Sequence, residues 1–249
     1  MPLKVCLIEI TEKCPLACEF CFVSKTNKKE MSFSDFKKII DNLPKTIERL
    51  ELTGGEPFTH PQLIKFCKYA SENLVKPFVF TSGVIVNKKI LSNLKSYISG
   101  IKVTLRSSNP DKDEKIRGYK NSYCLTLKTL ELCNELGIPA YIHYVVMSKQ
   151  EINEIKKIAK RYNASTEFLP LIAKNQPLIY EYPKSYCTAG VLRCAIDVNG
   201  NVMPCVYIRK TFGNILNNNI NIIIKNMYKW REKFGECKKE CIAYKLVQK

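Results

Sequence analysis

Between Val5 and Ile172 six short strand-like apolar runs alternate with five longer stretches of helical periodicity. No other feature constrains the fold as tightly. Strands are predicted at Val5–Thr11, Leu50–Thr53, Phe78–Thr81, Ile101–Arg106, Ala140–Met147 and Thr166–Ile172. Helices are predicted between them, at Ser32–Leu43, Pro61–Asn73, Lys88–Tyr97, Leu125–Leu136 and Ile152–Tyr162. Strands joined through helices run parallel, with right-handed crossovers. Six units are too few to close an eight-stranded barrel. The expected fold is therefore α/β, a partial, six-stranded TIM-like barrel of parallel strands. After Ile172 the character changes to proline, tyrosine, glycine and asparagine, with little helical period before Ile220. A boundary near Pro183 is expected, separating a 1–182 barrel from a 183–249 extension built of a β-hairpin and a helix. Asn199-Gly200 between two alternating apolar runs is the hairpin signal, and Ile220–Phe234 reads as the helix. So small a tail is expected to need a staple.

The chain has 249 residues and 12 cysteines. No apolar run approaches the roughly 20 residues that span a bilayer, and the start, Met1-Pro2-Leu3-Lys4-Val5, lacks a signal-peptide pattern. A cytoplasmic protein without membrane contact is expected, and there cysteines favour metal ligation over disulfides. Cys6, Cys67, Cys124 and Cys133 lie within predicted elements and are expected to be small buried hydrophobes. The other eight fall into two groups, one at each end of the chain. The formal charge of +17 raises a nucleic-acid partner. However, the lysines are scattered over helix faces (Lys37, Lys38, Lys156, Lys157, Lys160), with no dense basic run interleaved with aromatics, so nucleic acid is the less favoured partner.

The N-terminal group follows the first strand as Cys14-x3-Cys18-x2-Cys21. Three thiolates at that spacing can wrap one side of a four-iron cluster and leave one iron open. Active sites of parallel barrels form at the carboxyl ends of the strands, and the unusual residues gather there. Thr53-Gly54-Gly55-Glu56-Pro57 follows the second strand, Thr81-Ser82-Gly83 the third and Arg106-Ser107-Ser108 the fourth.

With Phe20 directly before Cys21, and Gly54-Gly55-Glu56-Pro57 on the second strand end, the chain resembles a radical S-adenosylmethionine enzyme over nearly its whole length. The resemblance implies a 4Fe–4S cluster on Cys14, Cys18 and Cys21, whose open iron chelates S-adenosylmethionine. Reductive cleavage then yields a 5′-deoxyadenosyl radical that abstracts a substrate hydrogen. It implies that Gly54 and Gly55 let the backbone approach the methionine moiety. Glu56 or nearby carbonyls would accept from its ammonium group, and Phe20 would pack near the adenine. Ser82 and Thr104 are candidates for the ribose hydroxyls, and Arg117 for the cofactor carboxylate. His143, alternating with Tyr141 and Val145, is a candidate to face the barrel interior; His60 reads as a helix-entry residue.

The C-terminal group is Cys187, Cys194, Cys205, Cys237 and Cys241. Cys187-x12-Gly200-x4-Cys205, with Phe212-Gly213-Asn214-Ile215 and Trp230, resembles the SPASM and twitch extensions that carry auxiliary clusters. Five cysteines imply one auxiliary 4Fe–4S cluster, not two. Cys187, Cys205, Cys237 and Cys241 match the twitch pattern; some sulfatase-maturing relatives use a cysteine placed like Cys194, which would leave Cys237 spare. A zinc ribbon is the plain alternative. The resemblance implies an oxidoreductase that acts on a peptide or protein side chain and is fed electrons by a donor such as ferredoxin or flavodoxin. A small-molecule or cofactor-biosynthesis dehydrogenase is the alternative, and tRNA or nucleotide modification comes third.

Overall fold

The computed structural model describes residues 3–21, 23, 28–172, 187–235 and 241–247. The alternation materialises as β1 (Val5–Thr11), α1 (Phe33–Asn42), β2 (Arg49–Gly54), α2 (Leu63–Asn73), β3 (Phe78–Thr81), α3 (Lys88–Leu94) and β4 (Gly100–Leu105). It continues through α4 (Pro110–Arg117), α5 (Ser122–Glu135), β5 (Ala140–Val146), α6 (Glu151–Arg161) and β6 (Ser165–Pro170). The helices start where the sequence offers caps. Ser32 accepts from the Asp35 N–H at 3.0 Å, Asn87 from Ile90 at 3.0 Å and Asn109 from Lys112 at 3.0 Å.

Helix α4 was not expected. Its sequence is polar except for Ile116, so no apolar stripe announces it. The cap residues do: Asn109 precedes Pro110 at the first helical position, and Gly118 ends the helix in the left-handed region at φ 61°.

Strands β1 to β6 pair in parallel, in sequence order. Beyond Ile172 come β7 (Arg193–Ile196), β8 (Val202–Met203), α7 (Ile220–Glu232) and α8 (Ile242–Val247). The expected hairpin is present, with Ala195 opposite Met203 and Ile196 opposite Val202. Asp197 closes its turn by accepting from the Asn199 and Asn201 N–H groups, both at 2.9 Å.

The hairpin is not a free-standing appendage. Strand β7 pairs in parallel with β1, so that one open sheet runs in the order β6-β5-β4-β3-β2-β1-β7-β8. The tail also shares the main core: Cys194, Ile196, Val202, Ile215, Ile223 and Met227 pack in one cluster with Ile8, Phe36, Leu52 and Ile142. Ile223 and Met227 alone contribute about 1.5–3 kcal/mol each. Burial against the sheet thus also fastens the tail, beside the metal staple that the sequence reading expects. A second, smaller cluster gathers Ala189, Ile208, Cys241, Ile242 and Ala243 around Cys187, Cys205 and Trp230. The expected boundary at Pro183 lies outside the described residues.

The two sheet faces have different chemistry. One face (Ile8, Leu50, Leu52, Val79, Ile101, Val103, Ile142) packs on the helices. The other lines the lumen and is polar for a parallel barrel. Lys102 reaches Glu51 at 2.5 Å and Glu167 at 2.7 Å, and Arg49 reaches the same two carboxylates at 2.7 and 3.0 Å. Lys102 also lies over the Phe78 and Phe80 rings.

Candidate active site at the rim of the sheet

The cysteine loop is held from two sides by backbone alone. On one side the Gly55 N–H donates to the Thr11 carbonyl at 2.7 Å and the Glu56 N–H to Lys13 at 2.8 Å. On the other, the Ala17 N–H donates to the Arg117 carbonyl at 3.0 Å and Glu19 to Ile116 at 3.1 Å. The unexpected helix α4 is therefore half of the clamp.

The glycine pair serves that clamp. A Cβ on Gly55 would lie 2.3 Å from the Lys13 carbonyl oxygen, and one on Gly54 2.3 Å from that of Thr11. Gly54 also has φ 129°, a region that side chains disfavour. In this structure the two glycines make room for the strand leading into the cysteine loop, where the sequence reading had them make room for a ligand.

Glu56 is likewise committed internally. Its buried carboxylate accepts from the Ser82 N–H at 2.7 Å, the Ser82 hydroxyl, the Thr81 hydroxyl at 2.9 Å and the Phe58 N–H at 3.2 Å. Burial raises its pKa from the ordinary carboxyl value, against these hydrogen bonds, which lower it. It bolts the end of β2 to the end of β3. An ammonium group would therefore meet backbone carbonyls at this rim more readily than Glu56.

Arg117 shows the same commitment. It is 1% exposed, donates to the Ser82 carbonyl at 2.9 Å, to the Thr126 hydroxyl at 3.1 Å and to the Thr104 carbonyl, and pairs with Asp113 at 3.0 Å. The Asp113 contact is ionic, since the Nε–H does not point at the carboxylate. Its Nη1 and Nη2 groups bond to the ends of β3 and β4 and to α5 and so pin these elements together, while its Nε–H makes no hydrogen bond among the described residues and the side chain lines the cavity at this rim.

A cavity of about 470 Å³ opens on this rim. Cys14, Cys18 and Cys21 line it, and so do Cys187, Cys205 and Cys241, together with Phe20, Gly54, Gly55, Ser82, Thr104 and His143. No described cysteine is in a disulfide with another described one. Burial pushes the Cys14 thiol up to about 11, and the charges of Glu56, Cys18 and Cys21 push it the same way, a bias that a bound cation reverses. Cys187 and Cys241 lie within hydrogen-bonding reach of each other. Cys187 is held down to about 6 by Cys241 and by the Ile242 and Ala189 N–H groups, whereas burial pushes Cys205 up to about 11. Among the described residues no three Cys, His, Asp or Glu side chains converge on a single-ion site. Two sets of soft thiol donors around one cavity fit sulfur-bridged clusters, which thiolates hold from several sides.

The remaining cysteines sort by position. Cys194 does not join Cys187, Cys205 and Cys241: it is fully buried in the main core, 3.6 Å from the Cys6 sulfur on the adjacent strand. Cys237 lies outside the described residues. Cys6, Cys67 and Cys133 are buried as expected, but Cys124 is exposed on α5. His60 sits at the entry of α2, its Nε2 bonded to the Met31 carbonyl at 3.0 Å and its Nδ1 accepting from Gln62 at 3.1 Å. His143 faces the lumen, edge-on to Phe80 at 5.0 Å, with a buried Nδ1 that has no hydrogen-bond partner among the described residues. Sequence reasoning missed the Glu51–Lys102–Glu167–Arg49 network. Its signal was a charge at each of several positions on predicted buried strands.

Comparison with known proteins agrees with this geometry. The Radical SAM superfamily model matches residues 8–162, and a model of an iron–sulfur cluster-binding domain, SPASM, matches residues 187–243. The subtilosin biosynthesis protein AlbA of Bacillus subtilis is 27% identical over 91% of this chain and 60% of its own length. A PqqA peptide cyclase of Bradyrhizobium diazoefficiens is 26% identical over 64% of this chain and 42% of its own. This chain thus spans about two fifths to three fifths of those relatives. In fold it resembles anSMEcpe with bound AdoMet, at a TM-score of 0.70 and 16% identity over 100% of this chain and 91% of that one. It also resembles SuiB of Streptococcus suis bound to the precursor peptide SuiA, at 0.68 and 15% over 99% and 67%. The superfamily and the SPASM domain imply 4Fe–4S clusters and S-adenosylmethionine as cofactors. A rim of clamped thiols on an open parallel sheet and a match over most of the barrel lead to one conclusion: this chain belongs to the radical SAM superfamily.

Proposed function

We propose that this protein is a radical S-adenosylmethionine oxidoreductase that modifies a peptide or protein side chain. The observation that carries this reading is the shared cavity, which both cysteine groups line. Cys14, Cys18 and Cys21 would hold the cluster that binds S-adenosylmethionine. Cys187, Cys205 and Cys241, with Cys237 completing the set, would hold the auxiliary cluster, and Cys194 is a core residue. When bound, these groups supply a one-electron cleavage of the sulfonium to a 5′-deoxyadenosyl radical, together with an acceptor for the electron left on the substrate. A low-potential donor of the ferredoxin or flavodoxin type would feed them. The domain division we infer is a barrel over 1–182 and a cluster-bearing extension over 183–249.

The chain's own residues orient and shield. The backbone clamp fixes the cysteine loop before any ligand arrives. Phe20 offers a half-buried ring to an adenine, and the Thr104 and Ser82 side chains stand at the cavity wall for ribose hydroxyls. Since the Ser82 hydroxyl donates to Glu56, it would meet a ribose as an acceptor. Below them the Glu51–Lys102–Glu167–Arg49 network closes the lumen floor with paired charges. The peptide class is supported by relatives named for peptide chemistry, including the PqqA peptide cyclase, and by the SuiB structure with its precursor peptide.

The test is anaerobic reconstitution with iron and sulfide, followed by dithionite and S-adenosylmethionine. Release of 5′-deoxyadenosine is expected, and its loss in Cys14/Cys18/Cys21→Ala protein. Protein that binds iron yet releases none overturns the radical reading. A short peptide encoded beside this protein is expected to lose two hydrogens in the same reaction. An unchanged peptide mass, with a small metabolite oxidised in its place, overturns the peptide assignment.

A further inference from the structure

We propose that Arg193 and His143 form a carboxylate-recognition site on the cavity wall, which seats an acidic side chain or the C-terminal carboxylate of a peptide substrate. This inference rests on the peptide reading above and narrows its substrate class.

The argument begins with charge. Of the charged side chains lining the cavity, Lys4, Glu51, Lys102, Arg117 and Glu167 each have an oppositely charged partner. Glu51 and Glu167 are balanced by Lys102 and Arg49. Arg106 and Arg193 line the cavity with no ion pair among the described residues. The lumen wall therefore carries a surplus of positive charge, which an anion complements.

Hydrogen bonding then singles out Arg193. Among the described residues its buried Nε has no hydrogen-bond partner, and neither has the buried His143 Nδ1 on the same cavity; the Arg117 Nε, likewise unbonded, is ion-paired. A buried polar group left unsatisfied costs about 1–3 kcal/mol, so two facing one cavity favour a polar ligand. Both side chains line the same cavity. The Arg193 charge is felt by His143 and Glu51 on the barrel side and by Cys205 and Tyr207 on the extension side. Burial lowers the His143 pKa to about 4, so the ring is neutral near pH 7 and keeps one N–H donor. A guanidinium and an N–H facing one cavity can both donate to the planar oxygens of a carboxylate.

Three probes test the site by calorimetry on anaerobically prepared holoprotein with S-adenosylmethionine. N-acetyl-glutamate α-amide carries a side-chain carboxylate, N-acetyl-glutamine a terminal one, and N-acetyl-glutamine α-amide none. At least one acid is expected to bind about tenfold or more tightly than the neutral compound. Which acid binds tells a side chain from a C-terminus. Arg193→Gln is expected to remove that preference, Arg193→Lys to retain part of it, and His143→Gln to weaken it. Equal binding of all three probes, binding of none, or a preference unchanged in Arg193→Gln overturns the site. The wild-type comparison needs no variant to fold. Wild-type protein that releases 5′-deoxyadenosine but ignores the carboxylate sinks this inference alone. Iron-loaded wild-type protein that releases none sinks the reading beneath it.

Discussion

A single methyl group at Gly55 is expected to unseat the cysteine loop. The Gly55 backbone does not need a positive φ, so the cost of Gly55→Ala is steric. The new Cβ would stand 2.3 Å from the Lys13 carbonyl oxygen, 2.7 Å from its carbon and 2.8 Å from the Glu12 oxygen. All three are backbone atoms, which cannot rotate away as a side chain does. Restoring ordinary contact requires a shift of roughly 1 Å. Overpacking of this kind costs about 1–3 kcal/mol, and straining the Gly55–Thr11 and Glu56–Lys13 hydrogen bonds adds about 1 kcal/mol each. The sum, about 3–5 kcal/mol, predicts a Tm lowered by roughly 6–20 °C in a chain of this size. The functional effect is larger, because a misplacement of about 1 Å at a reacting centre can cost about 100-fold in rate. The assay is the initial rate of 5′-deoxyadenosine release from reconstituted protein, measured beside Gly137→Ala. Gly137 has φ 65° and only the Lys95 Nζ within reach of a Cβ, at 4.0 Å. That control pays a backbone cost of about 1–2 kcal/mol without touching the loop, and its rate is expected to stay within about twofold of wild type. A Gly55→Ala protein with wild-type rate and Tm would refute the clamp.

Three further outcomes are expected. Lys102→Met removes a cation that is 1% exposed and leaves buried Glu51 with Arg49 as its ion-pair partner among the described residues; a loss of about 3–5 kcal/mol in denaturant unfolding is expected, much of it recovered in Lys102→Met/Glu51→Gln. His143, pushed down to about 4 by burial, binds its proton more readily in the unfolded chain, so stability falls as pH drops through 6.5 toward 4. Between pH 7 and pH 5 this contributes about 2 kcal/mol, and His143→Gln is expected to flatten that slope; an unchanged slope refutes it. Finally, in a Cys14/Cys18/Cys21→Ala background, Cys205→Ser is expected to lose the remaining iron. Cys194→Ser is expected to keep it at a stability cost of about 1–3 kcal/mol, and the reverse pattern would reassign the ligand set.

Local pattern was enough for the barrel. Residues 5–172 show strand and helix periods strongly enough that β1 and β3 have the boundaries read from sequence, and helical connections dictate parallel pairing. The Asn199-Gly200 turn was legible for the same reason, since a tight turn depends on its own few residues. The cysteine spacing singled out Cys14, Cys18 and Cys21, which line one cavity, because residues on one loop are close in sequence as well as in space. Helix α4 was hidden only from a search for apolar stripes; its caps were in plain view.

What tertiary structure alone decided is non-local. That β7 pairs with β1 depends on an edge left open by the rest of the sheet, and no local period in either strand encodes it. That pairing sorts the C-terminal cysteines, carrying Cys194 into the core beside Cys6 while Cys187, Cys205 and Cys241 line the cavity. Contacts across the rest of the sheet also define the surroundings of the glycine pair, Glu56 and Arg117. Sequence marked them as special, but only neighbours far along the chain show that they hold the rim in place, leaving Arg193 and His143 with groups still unspent. A residue's type states which bonds it can make; the fold decides which of them are already taken.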